Sequence, residues 1–405
     1  MKKLLPLLKK VWKFILLFLL ILLTFSYAMF QGGFVSWFLF YSFLPFAIYS
    51  TALSLYPLGG LEIKRVLPKT DYNAGETLKV SVHIKRPDRF PLFYLLIEEK
   101  LEGTLVSVQQ SKSTKALLFP GFQREFSNEY IIKELPRGEH SFRWFTVKVG
   151  DPLGLFEKEK QFALEEKIIV YPAYSELVYQ HFENQFDQGL TASRERVQRD
   201  TTIAVGVREY QPGDRFSWIN WKATAKRNEF MTKEFEQRQS HDVFIVMDCV
   251  PDPHFETVVS FTASLIRAVL KKGAQAGLLT ASKTNNSFPI RGGESQLQVL
   301  FYHLAKIEAK SNLSLDKVLE TDSFSVQQTV SFMLVTAQLS KGLIEKASFL
   351  GRRKGAITLF LIKHQQETPM DEERSLISVA NARGVRIVMV HEGNFAAAFS
   401  EVSGR

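Results

Sequence analysis

The sequence predicts three architectures in series: an N-terminal transmembrane helical hairpin, an all-β sandwich and a doubly wound α/β domain. Two long uncharged runs open the chain, a period of two takes over near residue 61, and the last third alternates continuous apolar runs with helical stretches ended by glycine. At 405 residues the chain exceeds what one hydrophobic core ordinarily fills, so several domains are expected. The expected boundaries are 1–60 for the membrane anchor, 61–171 for the sandwich, 172–206 for a connector crossing the surface, and 207–405 for a final segment that holds the α/β domain.

The anchor follows from length and charge. Phe14 to Phe30 and Phe34 to Gly60 carry no charged residue. At about 1.5 Å per residue, each run is long enough to cross about 30 Å of hydrocarbon. Gln31-Gly32-Gly33 marks the reversal between them, and Pro45 is expected to kink the second helix. Trp12, Trp37, Tyr41 and Tyr56 are the candidate interfacial anchors. Five lysines (Lys2, Lys3, Lys9, Lys10, Lys13) precede the first span, and Lys64 and Arg65 follow the second. The positive-inside rule then puts both termini and the soluble domains in the cytoplasm. A cleaved signal peptide is the alternative, since Ser26-Tyr27-Ala28 resembles a processing site, but a second span follows at once.

The chain's net charge of +9 raises the question of nucleic acid. Removing the five N-terminal lysines from the 51 Lys and Arg leaves 46 against 42 Asp and Glu, an ordinary soluble surface. No basic stripe with interleaved aromatics appears, so nucleic-acid binding is not expected. The lone Cys249 can form neither an intrachain disulfide nor a cysteine-rich zinc site and reads as a small buried hydrophobe in a reducing compartment.

In the second region Leu78, Val80, Val82 and Ile84 alternate with polar residues, the pattern of a half-buried strand. Further strands are expected at Leu92 to Leu101, Glu125 to Leu135, Ser141 to Val149 and Lys167 to Val170. Several short strands separated by Pro-Gly and Asp-Pro turns argue for a sandwich. Asp151 to Phe156 is expected to be a turn whose Leu155 and Phe156 plug back into that sandwich.

In the last third, strands are expected at Val243 to Met247, Ala276 to Ala281, Ser287 to Ile290, Val330 to Thr336, Ile357 to Ile362 and Val385 to Val390. Helices are expected at Thr257 to Leu270, Leu297 to Ile307, Leu343 to Arg353 and Glu372 to Arg383. This is the pattern of a mostly parallel sheet covered on both faces, which a Rossmann-like and a von Willebrand factor type A-like fold both satisfy. The dinucleotide reading fails, because no Gly-x-Gly-x-x-Gly follows any of these strands. The type A fold carries a metal-binding Asp-x-Ser-x-Ser at the end of its first strand. Here Asp248-Cys249-Val250-Pro251-Asp252 stands there. Val250 replaces one hydroxyl, Asp252 the other, and Ala337-Gln338 occupy the place of a later acid. The expectation is no cofactor, with Asp248 and Asp252 as remnants. A rival reading makes those two the centre of a metal-dependent ligand-binding or hydrolytic protein, with Mg²⁺ as the cation. The eight histidines are scattered outside any triad motif, so no enzyme is expected. A channel is disfavoured too, since neither span carries an ionisable residue.

The two soluble regions meet at Val207 to Asp248. Pro212-Gly213 is a turn signal, Asp214 stands where a helix cap belongs, and Phe216 to Arg227 has helical spacing. Val207 to Tyr210, Pro212-Gly213-Asp214, Ile219, Trp221-Lys222, Ala225-Lys226 and Lys233-Glu234-Phe235 resemble the signature of the bacterial domain-of-unknown-function 58 family. Leu135-Pro136-Arg137-Gly138 and Asp151 to Phe156 match a second family motif; Lys226 departs from the family's usual Arg. The resemblance implies a protein partner, a MoxR-type AAA+ ATPase, and work in protein remodelling or maturation. Arg208, Glu209, Tyr210, Pro212, Gly213, Asp214, Trp218, Trp221 and Lys222 then read either as a partner-docking face or as an internal staple in which Asp214 caps the helix and the tryptophans bury its junction.

Overall fold

The computed structural model describes residues 4–102, 115–154, 156–180, 199–211, 214–237, 242–282, 286–311, 313–320, 330–365 and 367–400. The chain divides into two compact units, Met1–Ala173 and Tyr174–Arg405.

The first unit opens with two helices, α1 (Leu4–Gln31) and α2 (Phe34–Leu55). Within them Trp12–Gln31 and Phe34–Leu55, with mean hydropathies of 2.2 and 1.5, are long and apolar enough to cross a membrane. The reversal between them is made by Gly32 at φ 55°, a left-handed conformation that glycine adopts without steric cost. Helix α2 continues through Pro45 and stops at Leu55, five residues before the uncharged run ends.

Among the described residues eight strands follow: β1 (Glu62–Val66), β2 (Asp71–Asn73), β3 (Leu78–Lys85), β4 (Tyr94–Glu102), β5 (Lys115–Leu118), β6 (Glu125–Ile132), β7 (Gly138–Gly150) and β8 (Glu157–Tyr171). They form a three-stranded sheet, β1-β3-β6, and a five-stranded sheet, β2-β8-β7-β4-β5. Burial along β3 alternates as its sequence does, with Leu78, Val80, Val82 and Ile84 inside. These pack in one core with Phe142, Phe145, Val147 and Val149 of β7, each such side chain contributing about 1.5–3 kcal/mol by leaving water. Buried charges in this core are paired, as desolvation requires: Glu99 accepts from the Arg65 guanidinium and the Tyr130 hydroxyl.

The loop from Asp151 to Phe156 departs from expectation. Phe156 is buried, but against Leu17 and Ala47 of the helical hairpin rather than in the sandwich. Its ring lies 4.8 Å from that of Phe14. Asp151 holds the loop in place, accepting bonds from the Ser50 hydroxyl and the Phe156 N–H, both at 2.7 Å. An apolar residue after a turn has two cores to choose from here, and Phe156 joins the hairpin's. Leu155 lies outside the described residues.

In the second unit, β9 (Arg199–Glu209) begins inside the expected connector and pairs antiparallel with β10 (Met231–Gln237); the short helix α3 (Trp221–Arg227) lies in the excursion between them. Then come β11 (Val243–Asp248), α4 (Phe255–Lys271), β12 (Ala276–Ala281), β13 (Asn286–Arg291), α5 (Glu294–Lys306), α6 (Leu315–Glu320), β14 (Ser331–Thr336), α7 (Lys341–Lys354), β15 (Ile357–Lys363), α8 (Asp371–Ala382), β16 (Arg386–His391) and α9 (Ala397–Ser400). The sheet order is β13-β12-β11-β14-β15-β16, parallel except for β13 at the edge. Strands β11, β12 and β15 are buried at every residue, as a sheet covered on both faces requires. On one face Phe360 meets Phe261 of α4 at 5.0 Å. On the other, Leu359 and Leu361 pack with Leu343, Ile344 and Ala347 of α7. Gly277 is required on β12, because a Cβ there would lie 2.7 Å from the Phe244 ring and 2.8 Å from Ile290.

Candidate functional site

Two places carry the residues that the sequence singles out. The first is the excursion between β9 and β10, which the hairpin itself holds in shape. The Tyr210 N–H donates to the Phe230 carbonyl at 2.8 Å and the Asn220 N–H to Met231 at 2.8 Å, while Ile219 forms a β-bridge with Thr232. Ile219 and Met231 are buried at 4% and 1% exposure, so they staple the segment.

Three expectations about this segment are corrected. Phe216 to Arg227 is not one helix: a 3₁₀ turn, Phe216–Trp218, precedes the bridge, and α3 starts only at Trp221. The bridge at Ile219 interrupts the helical hydrogen bonds that spacing alone predicts. Asn220, not Asp214, caps α3, its side chain accepting from the Ala223 N–H at 3.2 Å. Asp214 instead accepts from the Arg208 guanidinium at 2.8 Å and from the Gln211 N–H at 3.0 Å, closing the turn. Pro212 and Gly213 lie outside the described residues. The tryptophans do not bury the junction either. Trp221 is 64% exposed, and Trp218 is half-buried beneath the Arg215 guanidinium at 5.5 Å. Tyr210 stacks on Phe216 at 6.2 Å, while Glu209 and Lys222 are exposed.

The second place is the carboxyl edge of the parallel sheet, where open α/β sheets gather ligands. Asp248 ends β11 and accepts the Thr336 hydroxyl at 2.7 Å from the end of β14, and the Val250 N–H at 3.1 Å. Burial holds its carboxyl above the usual range. One Asp252 oxygen accepts from the Gln338 amide at 3.0 Å; the other faces the backbone and ring nitrogens of His254 at 2.8 and 2.6 Å. The opposite ring nitrogen of His254 lies 3.0 Å from Glu367, which also takes the Lys363 ammonium at 3.2 Å. An imidazole between two carboxylates donates from both nitrogens. His254, Thr336, Gln338, Lys363 and Glu367 thus join Asp248 and Asp252. Their shared position at strand ends is the signal that could have found them, since Lys363 and Thr336 are the last residues of β15 and β14.

As a donor set for a hard cation this edge does not fit. Val250 and Ala337 offer no side-chain oxygen, and all four carboxylate oxygens of Asp248 and Asp252 accept bonds from the chain's own donors. The crevice they line has a volume of about 10 Å³ and is completed by the apolar side chains of Phe255 and Val258. Cys249 beside them is fully buried.

A family model described as "Protein of unknown function DUF58" matches residues 206–400, the excursion and the α/β sheet together. The "Uncharacterized protein YeaD" of Bacillus subtilis (strain 168) is 40% identical over 385 residues, covering 94% of this chain and 96% of that one. The chain belongs to the DUF58 family. Among solved structures, the SpRpn10 VWA domain is similar at 11% identity, covering 39% of this chain and 93% of that domain with a TM-score of 0.29. The CARDB domain of the PF1109 protein from Pyrococcus furiosus is similar at 12% identity, covering 27% and 91% with a TM-score of 0.19.

Proposed function

We propose that the chain is a non-catalytic, membrane-anchored scaffold, without a cofactor, that offers its signature excursion to a protein partner. The observation that carries this reading is the aromatic surface of that excursion. Phe216, Trp221 and Phe230 are 76%, 64% and 60% exposed on a segment pinned by Ile219 and Met231. Large aromatics on a rigid support are the residues that most often anchor interfaces. Around them Arg215, Lys222, Lys226, Arg227 and Lys233 are exposed against Glu209 and Glu229, which suits an acidic partner surface. We take the partner to be a MoxR-type AAA+ ATPase and the process to be protein remodelling or maturation, a reading that rests on the resemblance of the signature segment alone. We read the α/β unit as von Willebrand factor type A-like because, counted from β11, its strands run 3-2-1-4-5-6 with the third antiparallel. The lysine-rich N-terminal flank supports a cytoplasmic location for both termini.

The test is photo-crosslinking from position 221 in native membranes, followed by mass spectrometry. An AAA+ ATPase is expected among the adducts. A Phe216→Ser, Trp221→Ala double variant is expected to lose them with an unchanged melting temperature, because both side chains are exposed. Adducts free of any ATPase would remove the assigned partner, and full crosslinking from position 230 in the double variant would remove the docking face.

A further inference from the structure

The sandwich carries exposed apolar side chains at one end, and that end is the one fastened to the hairpin. We propose that three of its loops, around Phe93, Phe119–Phe122 and Leu153, are immersed in the bilayer at the boundary between headgroups and acyl chains. The sandwich is then a membrane-inserted element in its own right, beyond the two spans. This rests on the reading of α1 and α2 as membrane-spanning.

The depth follows from where the loops touch the helices. The Tyr49 hydroxyl of α2 accepts from the Phe93 N–H at 3.0 Å, and the Tyr49 ring stacks on Phe90 at 5.8 Å. Ser50 bonds Asp151, and Phe156 packs on Phe14, Leu17 and Ala47. At 1.5 Å per residue, Tyr49 lies about 9 Å and Ala47 about 12 Å before the last residue of α2. On α1, Phe14 and Leu17 lie about 3 and 8 Å inside the apolar window that begins at Trp12. Both helices therefore place the loops inside the spans rather than beyond them.

The composition of that end agrees. Phe93, Leu117, Phe119, Phe122 and Leu153 are 53%, 53%, 68%, 69% and 46% exposed. In water such a cluster is costly; in acyl chains it is not. The loops are also rigid enough to be held there. Leu92 and Gly121 exchange backbone bonds at 3.0 and 3.1 Å. Behind them the buried Arg86 guanidinium donates to the carbonyls of Gln123, Phe90 and Gly121 at 2.5, 2.6 and 2.8 Å, clamping the aromatic loops together. Arg89 and Arg124, next to Phe90 and two residues from Phe122 in the sequence, are exposed, and the Lys158 ammonium lies on the Tyr56 carbonyl where α2 ends. Cations on an immersed end are attracted to lipid phosphates.

The full chain in phosphatidylcholine/phosphatidylglycerol nanodiscs tests this. A fluorophore is placed through Phe122→Cys, Phe119→Cys or Leu153→Cys, all exposed positions, with Phe38→Cys as a span control and Ile131→Cys as a control elsewhere on the sandwich. The buried Cys249 stays unlabelled. Labels at 119, 122 and 153 are expected to be quenched by nitroxide on the acyl chains and shielded from iodide, with the reverse at 131. If position 38 is quenched by the acyl nitroxide while 119, 122 and 153 behave like 131, immersion is wrong and the spans stand. If position 38 also answers only to iodide, the spanning reading falls and the inference with it. Shielding of 119, 122 and 153 from both quenchers means that a second protein copy covers them, which also overturns the lipid assignment.

Discussion

Two carboxylates flanking one imidazole set how the strand-end network answers to pH. Burial alone would lower the pKa of His254, but the bonds to Asp252 and Glu367 win and hold it above the usual 6.5. For Glu367 burial would raise the pKa, yet the His364 N–H, the His254 ring and Lys363 bring it down to about 2. The raised histidine contributes stability that is complete below pH 6.5 and is lost as pH climbs through its folded value. The lowered glutamate contributes stability present above its usual 4.5 and lost as pH falls towards 2. Both contributions are complete only between those limits. We expect the full chain in detergent to melt at a lower temperature at pH 8.5 than at pH 6. His254→Asn should flatten that difference, at about 2–4 °C for each kcal/mol lost in a unit of this size. An alkaline loss of equal size in the variant would place its origin elsewhere. Spacing showed Asp248 and Asp252 but not their partners, because His254 and Glu367 are 113 residues apart and Asp248 and Thr336 88 apart. Only the fold brings the strand ends together.

Elements were readable in proportion to how completely their sequence serves one burial pattern. The continuous apolar runs of β11, β12 and β15 and the alternation of β3 announce themselves, since nearly every residue's character follows its side. Strand β8 does not. It runs from Glu157 to Tyr171, but its first eleven residues alternate between exposed and half-buried with Glu and Lys on both faces, so only Lys167 to Val170 reads as a strand. In the signature excursion, apolar residues three and four apart serve two elements at once, Ile219 bridging to β10 while Trp221 opens α3. The cap tells the two arrangements apart. Asn220→Ala should cost about 1 kcal/mol and speed exchange of the Ala223 amide, with Asn220→Ser restoring most of it. Asp214→Ala should leave that amide protected while releasing the Arg208 guanidinium and the Gln211 N–H. The opposite result, with Asp214 guarding the helix, would restore the single helix starting at Phe216.

At the scale of the molecule, the hairpin is part of the sandwich's core and not merely a tether. Leu53, Tyr56 and Leu58, all before residue 61, are buried in the same cluster as Val80, Val82 and Phe145. Tyr56 also stacks on Phe90 at 5.0 Å, and its carbonyl takes the Lys158 ammonium at 2.7 Å. The composition change near residue 61 was visible because charge returns there. That the core runs across it was not, because an apolar residue at the end of a span looks the same whether it faces lipid or protein. Cutting the chain at Leu61 therefore removes core rather than linker. With each buried side chain worth about 1.5–3 kcal/mol, losing Leu53, Tyr56 and Leu58 should cost the sandwich on the order of 5 kcal/mol. That is comparable to the whole stability of many domains. A fragment of residues 61–405 should melt far below the full chain in the same detergent and bind a hydrophobic dye, whereas a fragment starting at Ala47 should recover most of the loss. Equal melting temperatures for all three would show that the sandwich closes its core without the hairpin.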